Sequence, residues 1–213
     1  MKRLFCLLSF LLLISVLTAC TPSVESGGTP VADHKWLTTQ EWAVTQTDAG
    51  TQAITIDAPA EATAWYDASL KDNWIVSTEL KLLKATGDTD CARVVFRDEF
   101  ENPCLTVTVE YVGTSHVQLR VDAFTNTGES SSIGGWKNLY TADNWTKIAS
   151  ENNLFLIICR TGKDSFTVSL SQYDTSIVPE TTVTLEERYL DLPCQAGVAT
   201  YGSYVRFTGF AIL

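Results

Sequence analysis

From Trp74 to Leu82 one parity carries Trp74, Val76, Thr78, Leu80 and Leu82, while Ser77, Glu79 and Lys81 occupy the other. Successive side chains of a strand point to opposite faces, so a period of two marks a strand with one face in a core and one in water. The pattern recurs. Ala92, Val94 and Phe96 form the next inward set, then Leu105, Val107, Val109 and Tyr111, then Val117, Leu119, Val121 and Ala123. Gly113-Thr114-Ser115 separates the last two runs and predicts a hairpin. Further strands are expected over 154–160, 166–170, 181–185 and 197–212, the last with a break near Gly202-Ser203, and shorter ones over 42–46, 52–56 and 63–66. No window carries a helical period, and 185–192 has room for one helical turn. About a dozen short strands joined by polar, glycine-containing turns specify an all-β fold of two stacked antiparallel sheets, a sandwich or jelly roll.

The N-terminus obeys a different rule. Lys2 and Arg3 precede an almost unbroken apolar run from Leu4 to Val16, the layout of a signal peptide. A membrane-spanning helix needs roughly 20 apolar residues, and this run gives way to Thr18 and then to Thr21-Pro22-Ser23. Leu17-Thr18-Ala19-Cys20 resembles the lipobox of bacterial lipoproteins, in which small residues precede a cysteine that receives a thioether-linked diacylglycerol before cleavage. That resemblance implies lipidation of Cys20, palmitate among the acyl chains, and export to the extracytoplasmic face of a cell membrane. Two or three chains hold firmly, since each buried CH₂ contributes about 0.8 kcal/mol. Thr21 to Asp33 contains Pro22, Gly27, Gly28 and Pro30 and no aromatic residue, which makes it a tether. The expected organisation is a signal peptide over 1–19, a lipidated N-terminus and tether over 20–33, and one β-sandwich domain over 34–213.

The formal net charge is −10, and loss of Lys2 and Arg3 with the leader makes the mature chain more acidic still. Neutralising phosphates takes clustered Lys and Arg, and here they are scattered among acids. Nucleic acid is therefore excluded as a partner, and so is peripheral binding to anionic lipid headgroups. Neutral glycans remain allowed.

Val94-Val95-Phe96-Arg97-Asp98, then Asn102 and a strand from Cys104, resembles the "apolar-apolar-Phe-Arg … Asn … strand" pattern of concanavalin A-like jelly rolls of the laminin-G and glucanase type. Ala196-Gly197-Val198-Ala199-Thr200-Tyr201-Gly202-Ser203 followed by Val205-Arg206-Phe207-Thr208-Gly209-Phe210-Ala211-Ile212 is similar to their closing strands. The resemblance covers most of 65–213 and implies two curved sheets with a concave face that in many relatives holds a carbohydrate. Fold alone transfers no activity.

Parity says what such a face would carry. With Val94 and Phe96 inward, Arg93 and Arg97 point outward, as do Thr106, Thr108 and Glu110 on the next strand and Gln118, Arg120 and Asp122 on the third. Arg97, Gln118, Arg120 and Asp122 are candidate hydrogen-bonding groups for sugar hydroxyls, and Trp136 in Gly134-Gly135-Trp136 is a candidate stacking ring. Trp36, Trp42, Trp65, Trp74 and Trp145 are expected to pack between the sheets, with a reserve for Trp65-Tyr66, since adjacent aromatics on a strand face opposite ways.

Other chemistry finds less support. Laminarinase-type glucanases use a strand-borne Glu-x-Asp-x-x-Glu string that is absent here; Asp98, Glu99 and Glu101 crowd into a turn, and Glu186-Glu187 with Asp191 are misspaced. No catalytic residue is assigned. His34 and His116 read as surface residues and build no nucleophilic triad. No metal site and no cofactor are assigned, Ca²⁺ at loop acids such as Asp88 and Asp90 being the one ion the pattern would admit. Cys91, Cys104, Cys159 and Cys194 allow three disulfide connectivities. Cys91 and Cys104 share outward parity on neighbouring strands, and Cys159 follows an apolar run that suggests a buried thiol. Three readings survive: a surface carbohydrate-binding module, a non-catalytic structural or protein-binding lipoprotein, and a glycoside hydrolase or lyase with a non-standard site.

Overall fold

The computed structural model describes residues 36–38, 44–46, 54–57, 61–70, 72–84, 89–112, 116–124, 130–138, 153–172, 175–185 and 193–213. They fall within the compact unit His34–Leu213. In chain order the strands are β1 (Trp36–Thr38), β2 (Val44–Gln46), β3 (Ile54–Asp57), β4 (Glu61–Ser69) and β5 (Ile75–Lys84). There follow β6 (Thr89–Arg97), β7 (Pro103–Val112), β8 (His116–Phe124), β9 (Ser130–Asn138) and β10 (Leu154–Arg160). The chain closes with β11 (Ser165–Gln172), β12 (Thr175–Thr184), β13 (Gln195–Tyr201) and β14 (Tyr204–Ile212). Among the described residues they form two antiparallel sheets, ordered β1-β4-β13-β6-β7-β8-β9 and β12-β11-β10-β5-β14-β3-β2. This is a jelly-roll sandwich.

The alternating sets meet between the sheets. Val76, Leu80, Val94, Phe96, Leu105, Val107, Val109, Val117, Val121, Leu154, Leu156 and Ile158 are all buried in one core. Each fully buried large aliphatic or Phe side chain contributes about 1.5–3 kcal/mol. Trp36 and Tyr66 of the first sheet meet Phe210 of the second, with ring centroids 5.1–5.2 Å apart. Trp74 packs on Phe96 at 5.0 Å.

One irregularity makes that cluster possible. In β14, Val205 and Phe207 point inward, and strict alternation would put Gly209 inward next and Phe210 outward. Instead the register against β5 shifts between Thr208 and Ala211, and Gly209 adopts φ +60°. The bulge inserts a residue and restores Phe210 to the core side, where it is fully buried.

Several sequence expectations are corrected. The strand expected over 181–185 is the end of β12, which starts at Thr175. Strands β1 and β9 were not anticipated: β1 is three residues long, and in β9 serines and glycines leave Ile133 as the one strand-favouring residue of Ser-Ser-Ser-Ile-Gly-Gly. The pair Cys91–Cys104 is excluded, because Cys91 faces Glu110 across β6 and β7, six residues or about 20 Å along β7 from Cys104. Cys91, Cys104, Cys159 and Cys194 form no disulfide, Cys104 sits in the core, and Cys159 is half-buried where a buried thiol was expected. Trp42, Trp145, His34, Asp88, the 113–115 turn and the helical turn expected up to 192 lie outside the described residues, as does the side chain of His116.

Candidate functional site

The outer face of the first sheet collects the polar parity of four long strands. Register sets Trp65 beside Gly197, Gly197 beside Val95, Val95 beside Thr106 and Thr106 beside Asp122. A second row runs Thr63, Ala199, Arg93, Thr108, Arg120. Backbone pairing alone thus places aromatic, cationic, hydroxyl and carboxylate groups on one surface.

At one end Trp65 lies across Gly197. A Cβ added to that glycine would meet the Trp65 Cε3 atom at 2.9 Å and the carbonyl oxygen of Ala64 at 2.5 Å, so only glycine lets the ring settle there. The Arg97 guanidinium carbon stands 4.5 Å from the Trp65 ring centroid, a cation–π contact. Arg97 Nε donates to Gln195 Oε1 at 2.6 Å, and Gln195 Nε2 donates to the Tyr66 carbonyl at 2.9 Å. Glu101 Oε1 approaches Arg97 at 3.5 Å from the solvent side. The chain Trp65–Arg97–Gln195 is therefore held at each link, which lowers the entropy lost when a ligand binds it.

Beside it the turn after β6 is built around Asp98. Its Oδ1 accepts from the backbone N–H groups of Phe100 and Asn102, each at 2.8 Å, and Oδ2 from Asn102 Nδ2 at 3.2 Å. The turn also places Glu101 at φ 67°. Its product is Phe100, 75% exposed on a fixed backbone. The adjoining Cys194 thiol is kept protonated, its pKa raised first by burial and then by the Asp98 carboxylate.

The other end of the face holds Arg120, whose Nε donates to Asp122 Oδ2 at 2.8 Å, and Gln118, whose amide donates to Glu110 Oε2. Arg97 is four residues from Arg93, hence about 13 Å along β6, and two strand spacings, about 10 Å, from β8. The sequence-derived group Arg97, Gln118, Arg120 and Asp122 thus shares one face but divides into two clusters about 16 Å apart. In the backbone register Gly134-Gly135-Trp136 falls where β9 bulges opposite Arg120; the Trp136 side chain lies outside the described residues. Trp65, expected mainly as a packing residue, belongs to the outer face, whereas Trp36 and Trp74 are buried. Gln195, Gly197 and Phe100 were missed, because their roles arise from strand neighbours distant in sequence or from a turn.

Backbone register sets the Cα atoms of Glu110 and Asp122 about 14 Å apart, and each carboxylate is engaged by a neighbour, Gln118 and Arg120 respectively. Among the described residues no group of three His, Cys, Asp or Glu is placed to hold a metal ion. Asp90 is buried, paired in register with Tyr111.

No protein-family model matches the chain, and no curated protein matches it in sequence. Solved structures match it in fold. The carbohydrate binding module CBM66 from Bacillus subtilis superposes with a TM-score of 0.55 at 12% identity, over 83% of this chain and 94% of that one. A legume lectin-like domain from Entamoeba histolytica gives 0.57 at 8% identity, over 84% and 89%. A Bacillus licheniformis beta-glucanase gives 0.54 at 8% identity, over 87% and 94%. At such identities the likeness establishes the fold, a concanavalin A-like jelly roll, and leaves the function to be argued from the residues.

Proposed function

We propose that this chain is a membrane-anchored extracytoplasmic lipoprotein whose jelly roll binds carbohydrate on the outer face of its first sheet. The observation that carries the reading is the linked set Trp65–Arg97–Gln195. Sugars offer apolar C–H faces to an indole ring and paired hydroxyls to planar guanidinium and amide groups, and this set presents both kinds of surface on rigid strands. Two of the solved structures above are named as a carbohydrate binding module and a lectin-like domain, which supports the same reading. Gln118, Arg120 and Asp122 extend the surface, and Trp136 remains a candidate ring at its β9 edge.

The anchor rests on Leu17-Thr18-Ala19-Cys20. Its test is metabolic labelling with a palmitate analogue: label that disappears in Cys20→Ala supports lipidation, and label that persists refutes it. Carbohydrate binding is tested on a glycan array with the full chain in detergent micelles. Binding that Trp65→Ala and Arg97→Ala each abolish, with the β-sheet circular dichroism retained, places the sugar at this set. A blank array refutes the reading and favours a protein-binding scaffold.

A further inference from the structure

Arg93, Thr108 and Arg120 stand in direct register on three adjacent strands, β6, β7 and β8. Thr108 lies between the inward Val107 and Val109, so its side chain leaves the sheet on the outer face. It is nevertheless only 3% exposed, and its Oγ1 is buried with no hydrogen-bond partner. A buried hydroxyl left unmatched weakens a fold, and its place between two arginines asks for an explanation.

We infer that this row is an oxyanion seat, and that the glycan taken by this face carries carboxylate or sulfate groups; the inference rests on the carbohydrate reading above. A sugar carboxylate or sulfate has several acceptor oxygens and no donor. A guanidinium presents planar pairs of donors that match such a group, and the threonine hydroxyl adds one more. Directly opposed residues on paired strands have Cβ atoms about 4.5–5.5 Å apart, so long side chains on either side of Thr108 reach a single anion. Binding draws both guanidiniums onto the anion and gives the hydroxyl its acceptor.

The charges around the row agree with this. At the described outward positions of the first sheet every cation is an arginine: Arg93, Arg97 and Arg120. The neighbouring acids are engaged, Asp122 at Arg120 Nε and Glu110 at the Gln118 amide. Asp122 grips one edge of the Arg120 plane and so orients it. The protein's overall charge of −10 opposes an anion from afar, but at physiological salt the Debye length is about 8 Å, and contact with the row decides.

The test uses the full chain in detergent micelles and two matched pairs of polymers: polygalacturonate against its fully methyl-esterified form, and dextran sulfate against dextran. At least tenfold tighter binding to one charged member than to its neutral partner is expected, and the pair that discriminates identifies carboxylate or sulfate. Arg93→Gln and Arg120→Gln should each remove the preference. Thr108→Val should weaken binding to the charged polymer about tenfold while raising the melting temperature of the ligand-free protein, because it keeps the shape and deletes the unmatched hydroxyl. Equal binding within both pairs overturns the inference and leaves the carbohydrate reading standing. Binding to none of the four overturns it too, and a blank glycan array as well would remove both. A Thr108→Val protein less stable than the parent shows that the hydroxyl serves the fold, and overturns the inference.

Discussion

Gly197→Ala tests the link between backbone approach and the aromatic end of the site. Gly197 has no positive φ, so alanine meets no conformational penalty there, and restricting the unfolded chain would by itself stabilise by about 0.4–1 kcal/mol. The contacts oppose this. The new methyl would stand 2.5 Å from the Ala64 carbonyl oxygen, 2.9 Å from Trp65 Cε3 and 3.1 Å from Trp65 Cα. Carbon contacts are comfortable at about 3.5–4.0 Å, so relief requires a movement on the order of 1 Å. Two of the three obstructing atoms are backbone, which means β4 and β13 must part or Trp65 must leave the surface. Overpacking of this kind costs about 1–3 kcal/mol, so the net loss is about 1–2 kcal/mol. For a domain of this size that is a fall of roughly 2–8 °C in melting temperature. Displacing Trp65 also breaks its contact with Arg97, so near-ultraviolet circular dichroism should change while the far-ultraviolet spectrum does not. A variant that melts within 1 °C of the parent with an unchanged aromatic spectrum would refute both the close approach and the seating of the ring.

Gly209→Ala has open space around the new methyl but forces a left-handed φ on alanine, and should cost roughly 1–2 kcal/mol in urea unfolding with the slope unchanged. Asp98→Ala removes three hydrogen bonds from the turn that carries Phe100 and leaves two backbone N–H groups without their acceptor; a loss of about 2–4 kcal/mol and faster amide exchange at Phe100 and Asn102 are expected. Tyr111 gives a pH dependence. Burial, and secondarily Asp90, raise its pKa above the ordinary 10.0, so the unfolded chain releases this proton at lower pH than the folded one. Stability should therefore be full below pH 10 and decline above it, and Tyr111→Phe should flatten that decline in urea titrations.

The residues readable in advance are those whose environment follows from their own strand. The parity of Val94, Val107 and Val121 decides burial locally, and the outward direction of Arg93, Arg97, Arg120 and Asp122 is its complement. Alternation also holds only until a bulge: Gly209 reverses the expected side of Phe210, and nothing short of the paired register with β5 reveals it. Strand order is a different kind of information, set by pairings between segments far apart in the chain. Arg97 and Gln195 bond across 98 positions, and Gln195 reaches Tyr66 across 129. Hence Gln195 and Gly197 carried no local signal, although Gly197 alone decides whether Trp65 settles on the sheet. Whether Arg97 and Arg120 act on one sugar or on two was equally hidden, because the answer depends on the pairing register across β7, which parity alone does not fix. With β7 there, Arg120 aligns with Arg93, not Arg97. A ligand that engages both ends of the face must therefore be an extended chain, and a single sugar ring can satisfy only one of them.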